Sequence, residues 1–193
     1  MKKMAVILVL IVAFGITGSS FAESPVTETV AQMSYSILMP AGLRAGEYTG
    51  QVIDGKPHGY GLFKSCNDDG ENWYYIGQWA NGKMNGQGST FWEDGQVQTG
   101  EYMDNNAYNG YTSQPNLEIK VYFDRRKDTI DRQYNKMVHK ETGNVIYEGY
   151  ISLDGSFMTG TFYDKKGQVI LAGEIGPGCT AAMLDAILKM GWQ

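Results

Sequence analysis

Residues 74–91 read YYIGQWANGKMNGQGSTF, and residues 46–63 read GEYTGQVIDGKPHGYGLF. Aligned on Tyr75 and Tyr48, they share Tyr-x-Gly-x-apolar: Tyr75, Gly77 and Trp79 against Tyr48, Gly50 and Val52. Each continues with a turn glycine (Gly82, Gly55) and then Gly-x-Gly (Gly86 and Gly88, Gly59 and Gly61). A third copy starts at Gly100-x-Tyr102 and reaches Asn109-Gly110 with a one-residue slip. A fourth runs from Tyr147-x-Gly149-x-Ile151 through Asp154-Gly155 to Gly160, and a partial fifth is Gly173-x-Ile175. Glycines 50, 77, 100, 149 and 173 are spaced 27, 23, 49 and 24 residues apart. The longest gap is close to two units, so a degenerate unit is expected between residues 117 and 140.

Alternate residues of a strand face one side. Tyr75, Gly77 and Trp79 therefore share a face, as do Tyr48, Gly50 and Val52. A strand glycine leaves bare backbone, which an aromatic ring from the neighbouring hairpin is expected to fill. Asp54-Gly55, Asn81-Gly82, Asp94-Gly95 and Asp154-Gly155 supply the positive φ of tight hairpin turns. Each unit reads as one β-hairpin that cannot bury its aromatic face alone, so neighbours must stack. Ten to twelve strands at ~4.8 Å would give a body roughly 50 Å long.

The string Tyr75, Gly77, Trp79, Gly82, Gly86, Gly88 resembles the MORN repeat family. Residues 48–61 match with Val52 in place of Trp, the later copies are partial, and 117–140 departs from the pattern. The resemblance implies an interaction scaffold binding protein or membrane lipid. A second resemblance competes. Asn72-Trp73-Tyr74-Tyr75 followed by Gly82-Lys83-Met84 looks like the choline- or glucan-binding repeats of cell-wall proteins, which cage ligands with aromatics. Only one copy carries it, whereas a cage needs the string repeated.

The chain has 193 residues, 25 of them Gly, with 2 Cys, 2 His and a net charge of −5. It is too apolar and aromatic to be disordered, too acidic for an ordinary nucleic-acid binder, and too poor in Cys for a disulfide scaffold. Met1-Lys2-Lys3, the apolar run Met4–Phe14 and the small residues Ser20 and Ala22 have the layout of a secretory signal cleaved after Ala22. Cleavage would remove Lys2 and Lys3 and no acid, moving the charge from −5 to −7. The expected location is periplasmic or secreted. The negative charge speaks against simple attraction to anionic bilayers, where cationic segments gain.

Ser24-Pro25 followed by Val26, Val30, Met33, Ile37 and Leu38, with Pro40 as a stop, suggests a short helix over the first sheet edge. A post-signal linker is the alternative. Thr180 as N-cap and the apolar positions up to Met190 suggest a second helix over 180–190, closing the other edge. The expected fold is all-β: an elongated single antiparallel sheet of stacked hairpin repeats, capped by a C-terminal and an N-terminal helix. Its parts are a signal peptide (1–22), an N-terminal segment or capping helix (23–44), repeats one to three (45–116), a degenerate basic hairpin (117–140), repeats four and five (141–177) and the C-terminal capping helix (178–193).

Residues 117–140 hold seven basic and four acidic residues, whereas 45–115 hold three basic and nine acidic. Ile119, Val121 and Phe123 alternate as a strand leading into an Arg125–Asp128 turn. Lys120, Arg125, Arg126, Lys127 and Arg132 form a candidate interaction patch for an anionic partner; a solvated surface of mixed charge is the plainer reading. No metal-ligand spacing, nucleophile elbow, phosphate loop or kinase motif set appears. His58 reads as an exposed turn residue and Asn67–Glu71 as a solvated Asp-Gly turn. Cys66 and Cys179 are expected to lie too far apart in the stack for an intramolecular disulfide. No cofactor or catalytic residue is expected. The partner is expected to be a protein, membrane lipid or a cell-wall polymer, but not nucleic acid.

Overall fold

The computed structural model describes residues 26–176. The signal segment, the helix expected at 180–190 and Cys179 lie outside the described residues. Twelve strands form one antiparallel sheet in chain order, with no pairing between its first and last strands. They are β1 (Glu28–Met39), β2 (Gly42–Ile53), β3 (Lys56–Cys66), β4 (Asn72–Ala80), β5 (Lys83–Trp92), β6 (Val97–Met103), β7 (Asn106–Ser113), β8 (Ile119–Asp124), β9 (Arg132–His139), β10 (Val145–Ser152), β11 (Met158–Tyr163) and β12 (Val169–Ile175). The expected units are the hairpins β2–β3, β4–β5, β6–β7, β8–β9 and β10–β11, with the fifth partial copy as β12.

One cross-strand row sets the register of the whole sheet. Its successive partners are Val30, Gly50, Gly61, Gly77, Gly88, Gly100, Gly110, Phe123, Asn135, Gly149, Gly160 and Gly173. Glycine is missing only from the N-terminal strand and the degenerate unit. The adjacent row on the same face runs Met33, Tyr48, Phe63, Tyr75, Thr90, Gln98, Thr112, Val121, Met137, Tyr147, Phe162 and Leu171. This inner face holds two hydrophobic clusters. One gathers Ile37, Tyr48, Phe63, Tyr75, Trp79 and Tyr102; the other gathers Ile119, Met137, Ile146, Tyr147, Met158 and Phe162. Between them the row turns polar at Thr90, Gln98 and Thr112.

The rings that fill the bare glycines come from the same hairpin, not from its neighbour as the sequence suggested. A Cβ built on Gly61 would meet the Tyr48 ring at 2.3–2.4 Å, and one on Gly88 would meet the Tyr75 ring at 2.3–2.5 Å. Gly160 faces the Tyr147 ring in the same way. Each tyrosine thus lies across its own hairpin, over the glycine of the return strand. There it donates its hydroxyl to the backbone carbonyl three residues on: Tyr48 to Gln51 at 2.7 Å, Tyr75 to Gln78 at 2.9 Å and Tyr147 to Tyr150 at 3.0 Å.

Residues 28–39 pair as a strand, so among the described residues no helix covers this edge. The helical reading requires Leu38 on the apolar face, but Leu38 is 69% exposed. Met33, Tyr35, Ile37 and Met39 pack instead on the first cluster at a period of two. A bulge between Val30 and Met33, with Gln32 at φ 54, shifts the phase of the strand. Pairing with β2 satisfies a ladder of backbone groups that an isolated helix would leave open on the sheet edge. Pro40 begins the turn of this hairpin rather than ending a helix.

The sheet coils over its first half. The Tyr35 hydroxyl of β1 donates to Gly82 O in the β4–β5 turn at 3.2 Å. Farther along, Asn105 in the β6–β7 turn donates Nδ2 to Leu38 O at 3.1 Å. Asn105 also accepts from Met84 N at 2.8 Å and donates its own N–H to Met84 O at 3.1 Å. It is 4% exposed and has φ 69. Its neighbour Asp104 also has positive φ, so Asp104-Asn105 repeats the turn geometry of Asp54-Gly55 and Asn81-Gly82.

Burial pushes the hydroxyls of Tyr48, Tyr102 and Tyr147 up to about 12 from an ordinary 10.0. Tyr75 is raised further, also by burial. The unfolded chain therefore gives up protons near pH 10 that the folded chain keeps. Stability is complete below that point and falls as pH rises towards about 12. Urea midpoints should be alike at about pH 8 and about pH 9 and clearly lower at about pH 11. Absorbance near 295 nm should show buried tyrosines ionising only with unfolding. Simultaneous ionisation of all tyrosines near pH 10 in the folded protein would contradict the buried hydroxyls.

Candidate functional site

Strand alternation divides Trp73-Tyr74-Tyr75 between the two faces of the sheet. Trp73 and Tyr75 turn inward, and Trp73 is 6% exposed. Tyr74 turns outward and stacks on Phe91 with ring centroids 4.8 Å apart and 14° between planes. Three consecutive aromatics on one strand therefore do not line a single cage between them.

Tyr74 belongs to an apolar patch on the outer face of β3–β5. Tyr60, Tyr74 and Ile76 are 63%, 41% and 51% exposed. Leu62 pairs with Ile76, and Phe91 pairs with Tyr74. A shallow cavity of about 650 Å³ lies over Leu62, Tyr74 and Phe91, with Trp73 and Trp92 at its side. The outer patch therefore sits over the two best-formed repeats, where the inner face is most tightly packed.

The five basic candidates share one hairpin but do not make one bare cationic surface. Arg125, Arg126 and Lys127 form the 3₁₀ turn between β8 and β9. Arg126 pairs with Asp124 at 2.7 Å and Arg125 with Asp128 at 3.0 Å. Hydrogen bonding to Arg126 holds the Asp124 carboxyl below its ordinary range. Arg132 donates to Thr159 Oγ1 at 2.6 Å and lies 3.7 Å from Asp131 and from Glu174. The lysines lie on aromatic faces: Lys120 is 4.5 Å from the Tyr111 ring centre and Lys127 is 4.0 Å from that of Tyr134. Tyr134 donates to Glu148 at 2.5 Å, and this bond is the main cause holding the Glu148 carboxyl down.

The repeat-defining residues occupy equivalent places in the first two units. Gly55, Gly82 and Gly155 take positive φ in their turns. Gly59 and Gly86 take positive φ against the side chains of Gln51 and Gln78. Gly100 pairs with Gly110, and the one-residue slip of the third copy is a bulge one residue shorter than those that follow Gly50 and Gly77. That copy has Gln98 where the first, second and fourth have Tyr48, Tyr75 and Tyr147. Tyr102 is buried in the place Trp79 holds in the second unit, and its hydroxyl lies 2.7 Å from Thr90 Oγ1.

Two structural residues escaped the sequence reading. Gln51 accepts from Tyr60 N at 2.8 Å, and Gln78 accepts from Gln87 N at 2.7 Å, closing the same bulge in both units. Their signal was the shared Tyr-x-Gly-Gln string. His58 is half-buried within β3 rather than in an exposed turn. Asn67 accepts from Asp69 N and Glu71 N at 3.0 and 2.9 Å, which folds Asn67–Glu71 as an Asx turn. Cys66 is exposed and free.

A family model of the MORN repeat matches residues 48–70 and again 75–97. A search of curated proteins finds no match for the chain. The two matched segments are the hairpins in which the tyrosine-over-glycine clamp and the glutamine-closed bulge occur together. These two hairpins, residues 48–70 and 75–97, are MORN repeats.

Proposed function

We propose that this protein is a non-enzymatic, exported scaffold that binds a protein partner through the outer face of β3–β5. MORN repeats are a non-catalytic family that typically mediates protein or membrane interactions. The observation that carries the reading is the outer patch of Tyr60, Leu62, Tyr74, Ile76 and Phe91. These side chains add nothing to the buried clusters, and contiguous exposed apolar surface of this kind marks interaction sites. The signal layout of residues 1–22 supports export.

The test is capture from the organism's own envelope fraction with the mature protein and with its Tyr74→Ser, Ile76→Ser variant. A defined partner retained by the first and lost by the second, with the fold intact by circular dichroism, is the expected result. Equal capture by both would remove the outer patch from the function. A membrane-lipid partner predicts a different outcome. Vesicles containing anionic lipid would then float the protein in a salt-sensitive way, abolished by Arg125→Glu with Arg126→Glu.

A further inference from the structure

The sheet has a second surface that the outer-face reading does not use. Where the inner face turns polar between the two hydrophobic clusters, a cavity of about 670 Å³ opens. This is within the usual size of small-molecule sites, roughly 300–1,000 Å³. Its aromatic lining is Trp73, Trp92, Tyr102 and Tyr108, and its amide lining includes Gln98, Asn106 and Gln133. Its lips come from remote parts of the chain: Pro40, Ala41 and Arg44 at the β1–β2 turn, and Arg125 with Asp128 at the basic turn. Asn105 holds the first lip in place through Leu38 O.

The charges around this cleft are already balanced. Arg44, with a side chain 13% exposed, grips Asp68 through two hydrogen bonds of 2.6 and 2.8 Å. Arg125 is paired with Asp128. The two cations thus face two anions, in a chain of net charge −5, so nothing selects an anionic ligand. A purely apolar ligand would strip water from the Gln98 and Gln133 side chains. An extended peptide adds to a sheet through a free strand edge. The floor here is mid-sheet, its backbone groups spent on the ladders of β5, β6 and β7.

What remains is a ligand with flat, weakly polar faces and a rim of groups that both donate and accept hydrogen bonds. We propose that the cleft binds a neutral saccharide. Amides offer a donor and an acceptor together. Gln98 commits its Nε2 to Thr112 at 3.3 Å, which orients its carbonyl oxygen. Trp92 is half-buried on the lining and can stack on a pyranose face while keeping its inner edge packed.

The test is titration of the full chain with chitotriose, cellotriose and maltotriose, read by tryptophan fluorescence and by amide chemical shifts. At least one sugar should bind saturably at or below about 10 mM, with shifts centred on β5–β7. Binding should persist in about 1 M NaCl, since no ion pair forms with the ligand. Trp92→Ala should weaken it about 10-fold or more. Gln98→Ala, which leaves both hydrophobic clusters untouched and loses only the bond to Thr112, should do the same with a melting temperature lowered by no more than about 5 °C. Absence of binding by all three sugars overturns the proposal. So does binding that Gln98→Ala leaves unaltered, binding lost in high salt, or saturable uptake of a neutral peptide at the same residues with no sugar response.

Discussion

Gly88→Val is expected to cost about 3 kcal/mol of stability, roughly a 10 °C fall in melting temperature. The Cβ alone would lie 2.3 Å from the Tyr75 hydroxyl and 2.5 Å from its ring carbons. That ring cannot yield. Its hydroxyl is tied to Gln78 O at 2.9 Å, and edge-on contacts fix it between Trp79 at 5.5 Å and Tyr102 at 4.8 Å. Valine's preference for strands, worth up to about 1 kcal/mol, is too small to offset the clash. Gly55→Ala is the control: nothing stands within 4 Å, and only its φ of 69 resists a side chain, so about 1 kcal/mol is expected. Shrinking the ring should relieve the clash, so Gly88→Ala should cost far less in a Tyr75→Ala background than in the wild type. Equal costs for Gly88→Val and Gly55→Ala in urea denaturation would refute the clamp.

The second large effect is expected at Asn105, and three variants separate its roles. Asn105→Ala removes the acceptor of a buried backbone N–H and puts alanine at φ 69, a left-handed conformation that asparagine tolerates better. Together these should cost about 3 kcal/mol. Asn105→Gly relieves the backbone but not the lost bonds, and should recover about 1 kcal/mol of that. Asn105→Asp keeps an acceptor for Met84 N, loses the donor to Leu38 O and sets a carboxylate against that carbonyl. It should free the β1–β2 turn while leaving β4–β7 intact. Hydrogen exchange should then rise in residues 35–44 and not in 84–92. Uniform loss of protection would mean that Asn105 serves the whole sheet rather than one lip.

The repeat was legible because its glycines are steric requirements rather than preferences. Gly61 and Gly88 sit under rings, and Gly55 and Gly82 sit at positive φ, so no other residue serves at either kind of place without cost. Residues 28–39 misled for a definable reason. The bulge at Gln32 shifts the strand's phase, leaving Val30, Met33 and Ile37 at spacings of three and four, as on a helix face. Only Tyr35 and Met39, read with Ile37, carry the period of two. The basic hairpin looked like a patch because sequence counts charges without placing them. Asp124 and Asp128 lie within three residues of the arginines they neutralise, whereas Glu174 arrives at Arg132 from a distant strand. The inner cleft was beyond sequence reasoning because its two lips meet only after the sheet coils. Asn105 itself was within reach: Asp104-Asn105 stands four residues after Gly100, as Asp54-Gly55 follows Gly50 and Asn81-Gly82 follows Gly77.

The strictly sequential strand order has a consequence for how the molecule is made. Every strand pairs only with its neighbours in the chain, so each pairing step closes a short loop and no strand waits for a distant one. Contact order is low for an all-β protein, which favours fast assembly. Any hairpin can act as a nucleus, and growth can proceed outward in either direction. The two longest-range hydrogen bonds named above, from Asn105 to Leu38 across 67 residues and from Tyr35 to Gly82 across 47, close after the strands between them have formed. The coil is thus a late event laid over an early, locally encoded ladder, and the cleft exists only once that event is complete.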